Sequence, residues 1–285
     1  MPGTLYIVAT PIGNLEDMTL RAIRVLKEAD VIAAEDTRHT RHLLGHFQIG
    51  TPLTSYHDHN KEGKAPVLVA RMKEGADVAL VCDAGTPTLS DPGYYLINQT
   101  VSAGVPVVAI PGPSAVTAAL SVAGLPTDAF CFEGFLPSRA AARRKKLAAL
   151  AAEPRTIVLF EAPHRLVRTI EDIAGAFGRD RRIAVCREMT KIHEEVVRGR
   201  MDEVLAALSG KTPRGEVTIV IEGARGDLAP AEPEEPVEER LRRMIVTDGM
   251  SVKEASSRLA RETGRNRREL YAMGVALAES RRQTR

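Results

Sequence analysis

The feature that most constrains this chain is a short, uninterrupted apolar run that keeps returning. LYIV, VIAA, VALV and VVAI in the first half, then FCF, TIVLF, IAVC and VTIVI in the second, are rich in β-branched and aromatic residues and do not alternate with polar ones. A strand without a polar face must be buried on both sides, as in a largely parallel sheet covered by helices. Between the runs the apolar period lengthens. Ala22, Val25, Leu26 and Ala29 fall at i, i+3, i+4 and i+7 behind Thr19 as an N-cap, and Pro163 can open a helix carrying Leu166, Ile170, Ile173 and Phe177. Strands alternating with helices define an α/β fold. RRIAVCREMTK followed by IHEEVVRGR reads as two strands with a short connection, an antiparallel hairpin that gives the second sheet mixed character.

A chain of 285 residues exceeds one ordinary core, so two domains are expected. A helical stretch ends around Gly124–Thr127 (GLPT), and Gly223–Pro236 (GARGDLAPAEPEEP) has linker composition. The resulting organisation is an α/β domain over 1–124, a second over 125–224, a linker over 225–236 and a small all-helical module over 237–285. With 44% hydrophobic and 27% charged residues the chain is ordered and globular, and a net charge of +2 argues for no nucleic-acid partner by itself. Cys82, Cys131 and Cys186 sit in or beside apolar runs without metal-ligand spacing, which reads as buried thiols in a reducing compartment and predicts no metal site. No basic region precedes an apolar leader, and no stretch nears the roughly 20 apolar residues of a membrane span. A cytoplasmic protein is expected.

Residues that break the pattern follow the carboxyl ends of the runs: ATPIGN after LYIV, DAGTP after VALVC, PGPSA after VVAI, EAPHR after IVLF and REMTK after IAVC. That edge is where open α/β sheets bind ligands. Glycine lets backbone approach a ligand closely and proline stiffens the loop, so five such loops on one edge suit a pre-shaped wall for a small molecule. Any one of them alone is ordinary turn chemistry. A dinucleotide reading of VATPIGN fails, because the phosphate turn needs three glycines and this loop has only Gly13, with Pro11 in place of another. The cofactor expected is one without a pyrophosphate.

ATPIGNLEDMTLRA, AAEDTRHTRHLL, DAGTPTLSDPG, PGPSA, FEAPHR and REMTK, in this order, resemble the ribosomal small-subunit RNA cytidine 2′-O-methyltransferases of the tetrapyrrole-methylase-like superfamily. The resemblance covers about residues 4–223. It implies two α/β domains with S-adenosylmethionine in the cleft between them, a homodimer, and small-subunit ribosomal RNA or the assembled subunit as partner. Carried onto this sequence, it places the cofactor against Pro11, Asp83, Ala84, Gly85 and Thr86, then Leu89, Ser90 and Asp91. Ser114, Ala115, Phe160, Glu161, Ala162 and Thr218 complete that set. Glu16 stands where such loops often have glycine, a departure from the pattern.

Methyl transfer to a ribose hydroxyl needs an aligned acceptor and a group that eases its deprotonation. Asp36 and Glu188 are the candidates for proton acceptor. Asn14, Arg38, His164, Arg165, Arg187 and Lys191 are candidates for holding substrate. Each has a plainer reading: Asp36 and Arg38 can simply pair with one another, and Glu161 can be a wall of the cofactor pocket. Two other functions stay open, a small-molecule methylase acting on a tetrapyrrole-like ring and a non-catalytic RNA-binding or assembly factor.

Two basic regions could engage RNA. Ser138–Lys146 (SRAAARRKK) carries five cations and no acid, although such runs are often solvated helix faces. From Pro236 to Arg285 there are twelve basic and seven acidic residues, a surplus of five that leaves −3 for the rest of the chain. Ser251 and Glu254 have capping-box spacing, and ASSRLARETG and RNRRELYAMGVAL read as two helices around a Gly-containing turn. This resembles a helix-turn-helix, with Arg265, Arg267 and Arg268 at the start of its second helix; a packing appendage with little core of its own is the alternative. Removing the residues after Gly226 is expected to weaken RNA engagement in filter binding and to leave calorimetric affinity for S-adenosylmethionine intact. Loss of cofactor binding in that truncation would contradict the assignment.

Overall fold

The structure is a computed structural model that describes residues 1–89, 93–210, 214–224, 237–263 and 266–283. The linker expected at 225–236 lies outside the described residues, as do Ser90, Asp91 and Arg265. The chain divides into two compact units, one ending at Ala224 and one after it.

The first sheet contains β1 (Leu5–Val8), β2 (Val31–Ala34), β3 (Leu53–Ser55), β4 (Val78–Val81) and β5 (Val107–Ile110), in the order β3-β2-β4-β1-β5 with every pairing parallel. α1 (Leu20–Glu28) and α2 (Thr37–His46) cover one face, where Ala22, Val25, Leu26 and Leu44 meet Val8, Ile32, Ala79 and Val81. α3 (Lys61–Lys73) and α4 (Gly93–Ser102) cover the other, through Leu68, Met72 and Leu96 against Leu5, Ala33 and Leu80. Burial on both faces is what the unbroken apolar runs require. Thr19 caps α1 as expected, its Oγ1 accepting from the Ala22 amide at 3.1 Å. β3 was not visible in the sequence: it is three half-buried residues, LTS, on an edge.

The second sheet contains β6 (Phe130–Phe135), β7 (Thr156–Glu161), β8 (Arg182–Arg187), β9 (Glu195–Arg200) and β10 (Val217–Ile221), ordered β6-β7-β10-β8-β9. Only β6 and β7 pair in parallel; β8 and β9 form the expected antiparallel hairpin, and β10 runs antiparallel to both its neighbours. α6 (Ala140–Leu150), α7 (Leu166–Phe177) and α8 (Met201–Leu208) bury one face, with Leu166, Ile170, Ile173 and Phe177 pointing inward as their spacing predicts. The opposite face is covered by α5 (Ala115–Ala123). This helix follows the last strand of the first sheet, yet its Val116, Ala119, Leu120 and Ala123 pack on Val158, Ala184, Cys186 and Val220. It ends at Gly124, left-handed at φ +67°.

The basic run 138–146 lies largely on α6, with Arg143 buried and Arg139, Arg144, Lys145 and Lys146 exposed. Arg143 Nε and Nη2 both meet Asp172 Oδ2, at 2.8 and 2.6 Å, Arg144 reaches Oδ1 of the same carboxylate at 3.6 Å, and Lys146 pairs with Glu133 at 2.7 Å.

Among the described residues the second unit has the two expected helices, α10 (Val252–Thr263) and α11 (Arg267–Gln283), and a further one ahead of them, α9 (Val237–Val246). It also has a core of its own, with Leu241, Met244, Ala255, Leu259, Leu270 and Leu277 buried together. The capping box forms: the Glu254 amide donates to Ser251 Oγ at 3.2 Å and the Ser251 amide to the Glu254 carboxylate at 3.3 Å. Arg267 and Arg268 are exposed on the first turn of α11.

Removing one partner of a buried ion pair strands the other charge, so Asp172→Ala is expected to cost about 3–5 kcal/mol in urea unfolding. Arg144→Ala, on an exposed side chain, is expected to stay within about 0.5 kcal/mol. Equal effects of the two would mean that the pair is not the structural element of the run.

Candidate functional site

The chain leaves β1 across β4 to reach β2, and leaves β4 across β1 to reach β5. Neighbouring strands whose connections depart in opposite directions open a crevice at their carboxyl ends. The loops are fastened to each other there. Thr10 and Gly85 exchange backbone hydrogen bonds at 2.9 and 3.0 Å, and Thr10 Oγ1 donates to the Cys82 carbonyl at 3.1 Å. Gly85 lies at φ +84°, a conformation glycine adopts without penalty. Thr86 Oγ1 donates to the Pro113 carbonyl at 3.1 Å, joining DAGTP to PGPSA. The stiffness expected of these loops is thus reinforced by bonds between them.

The second sheet supplies two further turns. Glu161, at the end of β7, is buried; its carboxylate accepts from the Ala162 amide at 2.7 Å and Thr169 Oγ1 at 2.6 Å, and pairs with Arg165 at 3.2 Å. The REMTK turn after β8 reaches the first sheet, where the Asn14 amide donates to Thr190 Oγ1 at 3.1 Å. A Cβ on Gly13 would overlap the Lys191 stem, so that position must be bare for the contact to form. Lys191 Nζ donates to Glu188 at 2.9 Å and to Glu216 at 3.3 Å.

These turns enclose two adjoining cavities. The first, of about 430 Å³, takes residues from all five loops: Ile12, Cys82–Ala84 and Leu89, Ala115, Phe160–Pro163, and Met189. Glu35, Phe135 and Gly215–Thr218 complete it. Its acidic residues are Glu35, Asp83, Glu161 and Glu216, and no Lys, Arg or His lines it among the described residues. The second cavity, of about 320 Å³, is lined by Thr10–Gly13, Leu15, His39, His42, Leu43, Asp83, Ala84, Lys191 and Glu216. Ile12, Asp83, Ala84 and Glu216 belong to both.

The residues singled out from the sequence divide accordingly. Asp83, Ala84, Leu89, Ala115, Phe160, Glu161, Ala162 and Thr218 line the first cavity; Pro11 and Lys191 line the second. Gly85, Thr86 and Ser114 shape the loops without lining either. Ile12, Glu35, Cys82, Phe135, Met189 and Glu216 were not foreseen, nor were His39 and His42. Asn14 opens the turn at Leu15–Asp17, accepting from the Glu16 amide. His164 is exposed, Arg165 is held by Glu161 and the Leu136 carbonyl, and Arg187 is bonded to Glu195 and the Arg214 carbonyl.

Both proton-acceptor candidates are committed elsewhere. Asp36 lines neither cavity: it caps α2, accepting from the Arg38 amide and guanidinium at 2.8 Å, and that guanidinium holds its carboxyl down at about 2. Glu188 accepts from Lys191 and from the Glu216 amide at 3.2 Å, and the Lys191 bond keeps it below the usual Glu range. A carboxylate depressed in this way is a poorer base.

Comparison with known proteins places this geometry in context. The family model for Tetrapyrrole (Corrin/Porphyrin) Methylases matches residues 4–205, and that for the RsmI C-terminal HTH domain matches residues 230–278. Proteins named ribosomal RNA small subunit methyltransferase I are 48% identical in Synechocystis sp., over 96% of this chain and 98% of theirs, and 43% identical in Pseudomonas aeruginosa, over 96% and 97%. The Escherichia coli O157:H7 protein of that name is 49% identical over 78% of each. Among solved structures, the methyltransferase CobJ superposes with a TM-score of 0.58 at 18% identity, covering 78% of this chain and 95% of that one. Uroporphyrin-III C-methyl transferase from Thermus thermophilus, complexed with S-adenyl homocysteine, gives 0.53 at 22% identity, covering 76% and 97%. Both likenesses establish the fold alone.

The capping role of Asp36 makes a pH prediction. Its folded value lies below the ordinary 3.8, so its stabilising contribution is complete above about pH 4 and is lost as pH falls through about 2. Carboxylate NMR is expected to find Asp36 still ionised at about pH 3, where an ordinary aspartate is mostly protonated. A midpoint at the ordinary value would mean that the Arg38 contact does not persist in solution.

Proposed function

We infer the activity from two premises: the chain belongs to the tetrapyrrole methylase family, as one of its ribosomal RNA small subunit methyltransferase I members, and its first cavity is walled by carboxylates without a cation. The protein is a methyltransferase that uses S-adenosylmethionine, and its acceptor is the ribose 2′-oxygen of a cytidine in small-subunit ribosomal RNA. The charge of the wall is the observation that carries the donor assignment. Its volume falls in the range of small-molecule sites, and its floor is apolar at Ile12, Leu89, Ala115, Phe160, Met189 and Val217. A carboxylate-lined, partly apolar cavity favours a cationic donor and opposes a pyrophosphate. When bound, S-adenosylmethionine supplies an electrophilic methyl group on a positive sulfur.

The chain's own residues have separable parts in this. The fastened loops of the first sheet and the Phe160–Pro163 turn hold the donor and exclude water from it. Glu161, its oxygens taken by Ala162, Thr169 and Arg165, fixes the turn and moves no proton. Asp83 is common to both cavities, and its Oδ1 accepts from the Asp36 amide at 3.1 Å. That leaves it between donor and acceptor, where it takes the hydroxyl proton. Glu188 positions Lys191. The basic helical unit adds phosphate contacts that strengthen binding without reading sequence. A cytoplasmic homodimer suits these roles; among the described residues no helix is long and apolar enough to cross a membrane.

Transfer of labelled methyl groups to unmodified small ribosomal subunits and to free RNA, followed by nucleoside mass spectrometry, is expected to yield 2′-O-methylcytidine. A base-methylated product, or labelling of a porphyrin ring instead, would refute the reading. In the same assay Asp83→Asn is expected to lower kcat by about a hundredfold or more, with a smaller change in calorimetric cofactor affinity. Retention of most of the turnover would remove Asp83 from the proton step.

A further inference from the structure

The two adjoining cavities share Asp83 and Glu216 but differ in cations: the first has none among the described residues, while Lys191, with His39 and His42, lines the second. We propose that the second cavity is the acceptor subsite, built to take one unstacked nucleotide of single-stranded RNA together with its phosphate, and that α2 forms one wall of it. This rests on the methyltransferase reading above.

His39, His42 and Leu43 are spaced i, i+3 and i+4, which puts them on one face of α2. They line the cavity with Leu15, from the first loop. Imidazole rings and aliphatic side chains form a surface on which an unstacked base can lie, as sequence-selective RNA proteins do with His and aromatic residues. An enzyme acting on one nucleotide must draw it out of its stack, and a chamber beside the donor receives it.

Lys191 supplies the phosphate contact. An ammonium has three N–H donors, and two are given to Glu188 and Glu216, which leaves one for a ligand. Those two carboxylates also fix the ammonium in place. Gly13 and Gly215 permit the arrangement, since a Cβ on the first would overlap the Lys191 stem and one on the second the Glu188 carboxylate. The surfaces shared by the two cavities, Ile12, Asp83, Ala84 and Glu216, are where the nucleotide's sugar would meet the donor.

The test compares the full chain with His39→Ala/His42→Ala, Lys191→Met and Lys191→Arg, using unmodified small ribosomal subunits as acceptor and calorimetry with S-adenosylmethionine. The double histidine variant is expected to raise KM for the subunit by about tenfold or more while cofactor Kd changes less than about twofold. Lys191→Met is expected to reduce the slope of log affinity against log salt by about 0.7, the value for one phosphate on a single strand, and Lys191→Arg to restore it. Unchanged KM and salt slope in these variants, with the parent active, would overturn the subsite and leave the methyltransferase reading standing. A parallel loss of cofactor affinity would also overturn it, by assigning the second cavity to the donor. A parent protein that binds S-adenosylmethionine but methylates no RNA would refute both.

Discussion

The structure depends on one packing contact, the burial of α5 against the second sheet. The helix grows from the last strand of the first sheet, but the surface that covers its Val116, Ala119, Leu120 and Ala123 comes from Val158, Ala184, Cys186 and Val220. Each of the larger side chains contributes roughly 1.5–3 kcal/mol by leaving water. Because α5 begins at Ser114–Ala115, directly after the PGPSA loop, the same contact fixes where that loop sits relative to β7 and β10. Five loops from two sheets become one wall because a single helix belongs by sequence to one sheet and by packing to the other.

Charge then divides the space so enclosed. Carboxylates can face a cavity without cations only if their other partners lie behind it. Glu161 satisfies its carboxylate with Ala162, Thr169 and Arg165, and Asp83 accepts from the Asp36 amide. On the far side of the shared wall, beside the same Asp83 and Glu216, Lys191 and two histidines face the second cavity. A chamber without a cation beside one that presents a lysine can sort two reactants, a positive donor and a phosphate-bearing acceptor. On the proposed assignment their boundary, at Ile12, Asp83, Ala84 and Glu216, is where the two reactants meet.

What the sequence disclosed follows from how each feature is encoded. Strands buried on both faces appear as unbroken apolar runs, so β1, β2, β4, β7 and β10 were legible; β3, with half-buried LTS on an edge, carries no such mark. Loops that need positive φ or close approach announce themselves through Gly and Pro, which is why DAGTP and PGPSA pointed to the cavity. Met189 lies within REMTK, one of the loops singled out, but carries no Gly or Pro mark of its own, and Glu216 had no such signal. They meet because β8 and β10 pair antiparallel with Arg187 opposite Val217, and that register is settled only by the sheet order. Arg143 looked like a solvated cation because its partner, Asp172, lies on another helix. The core of the helical unit was underestimated because α9, reading VEERLRRMIV, is dominated by charge, although its Leu241 and Met244 are buried.

The REMTK turn shows how these levels meet. Glu188 and Thr190 have φ of +50° and +65°, a region that costs a residue with a side chain about 1–3 kcal/mol. Such a backbone persists only where its surroundings determine it. Here the Glu188 carboxylate takes Lys191 and the Glu216 amide, the Thr190 amide donates to Glu194 at 2.7 Å, and Thr190 Oγ1 accepts from Asn14. The last of these bonds comes from the other sheet. The turn is thus braced by the loop after β1 as well as by its own sheet, while the Lys191 ammonium is oriented from the second sheet, by Glu188 and Glu216. A cation placed in this way is preorganised at the seam of the two sheets, because its ammonium is held from the second sheet while its stem packs beside Gly13 of the first.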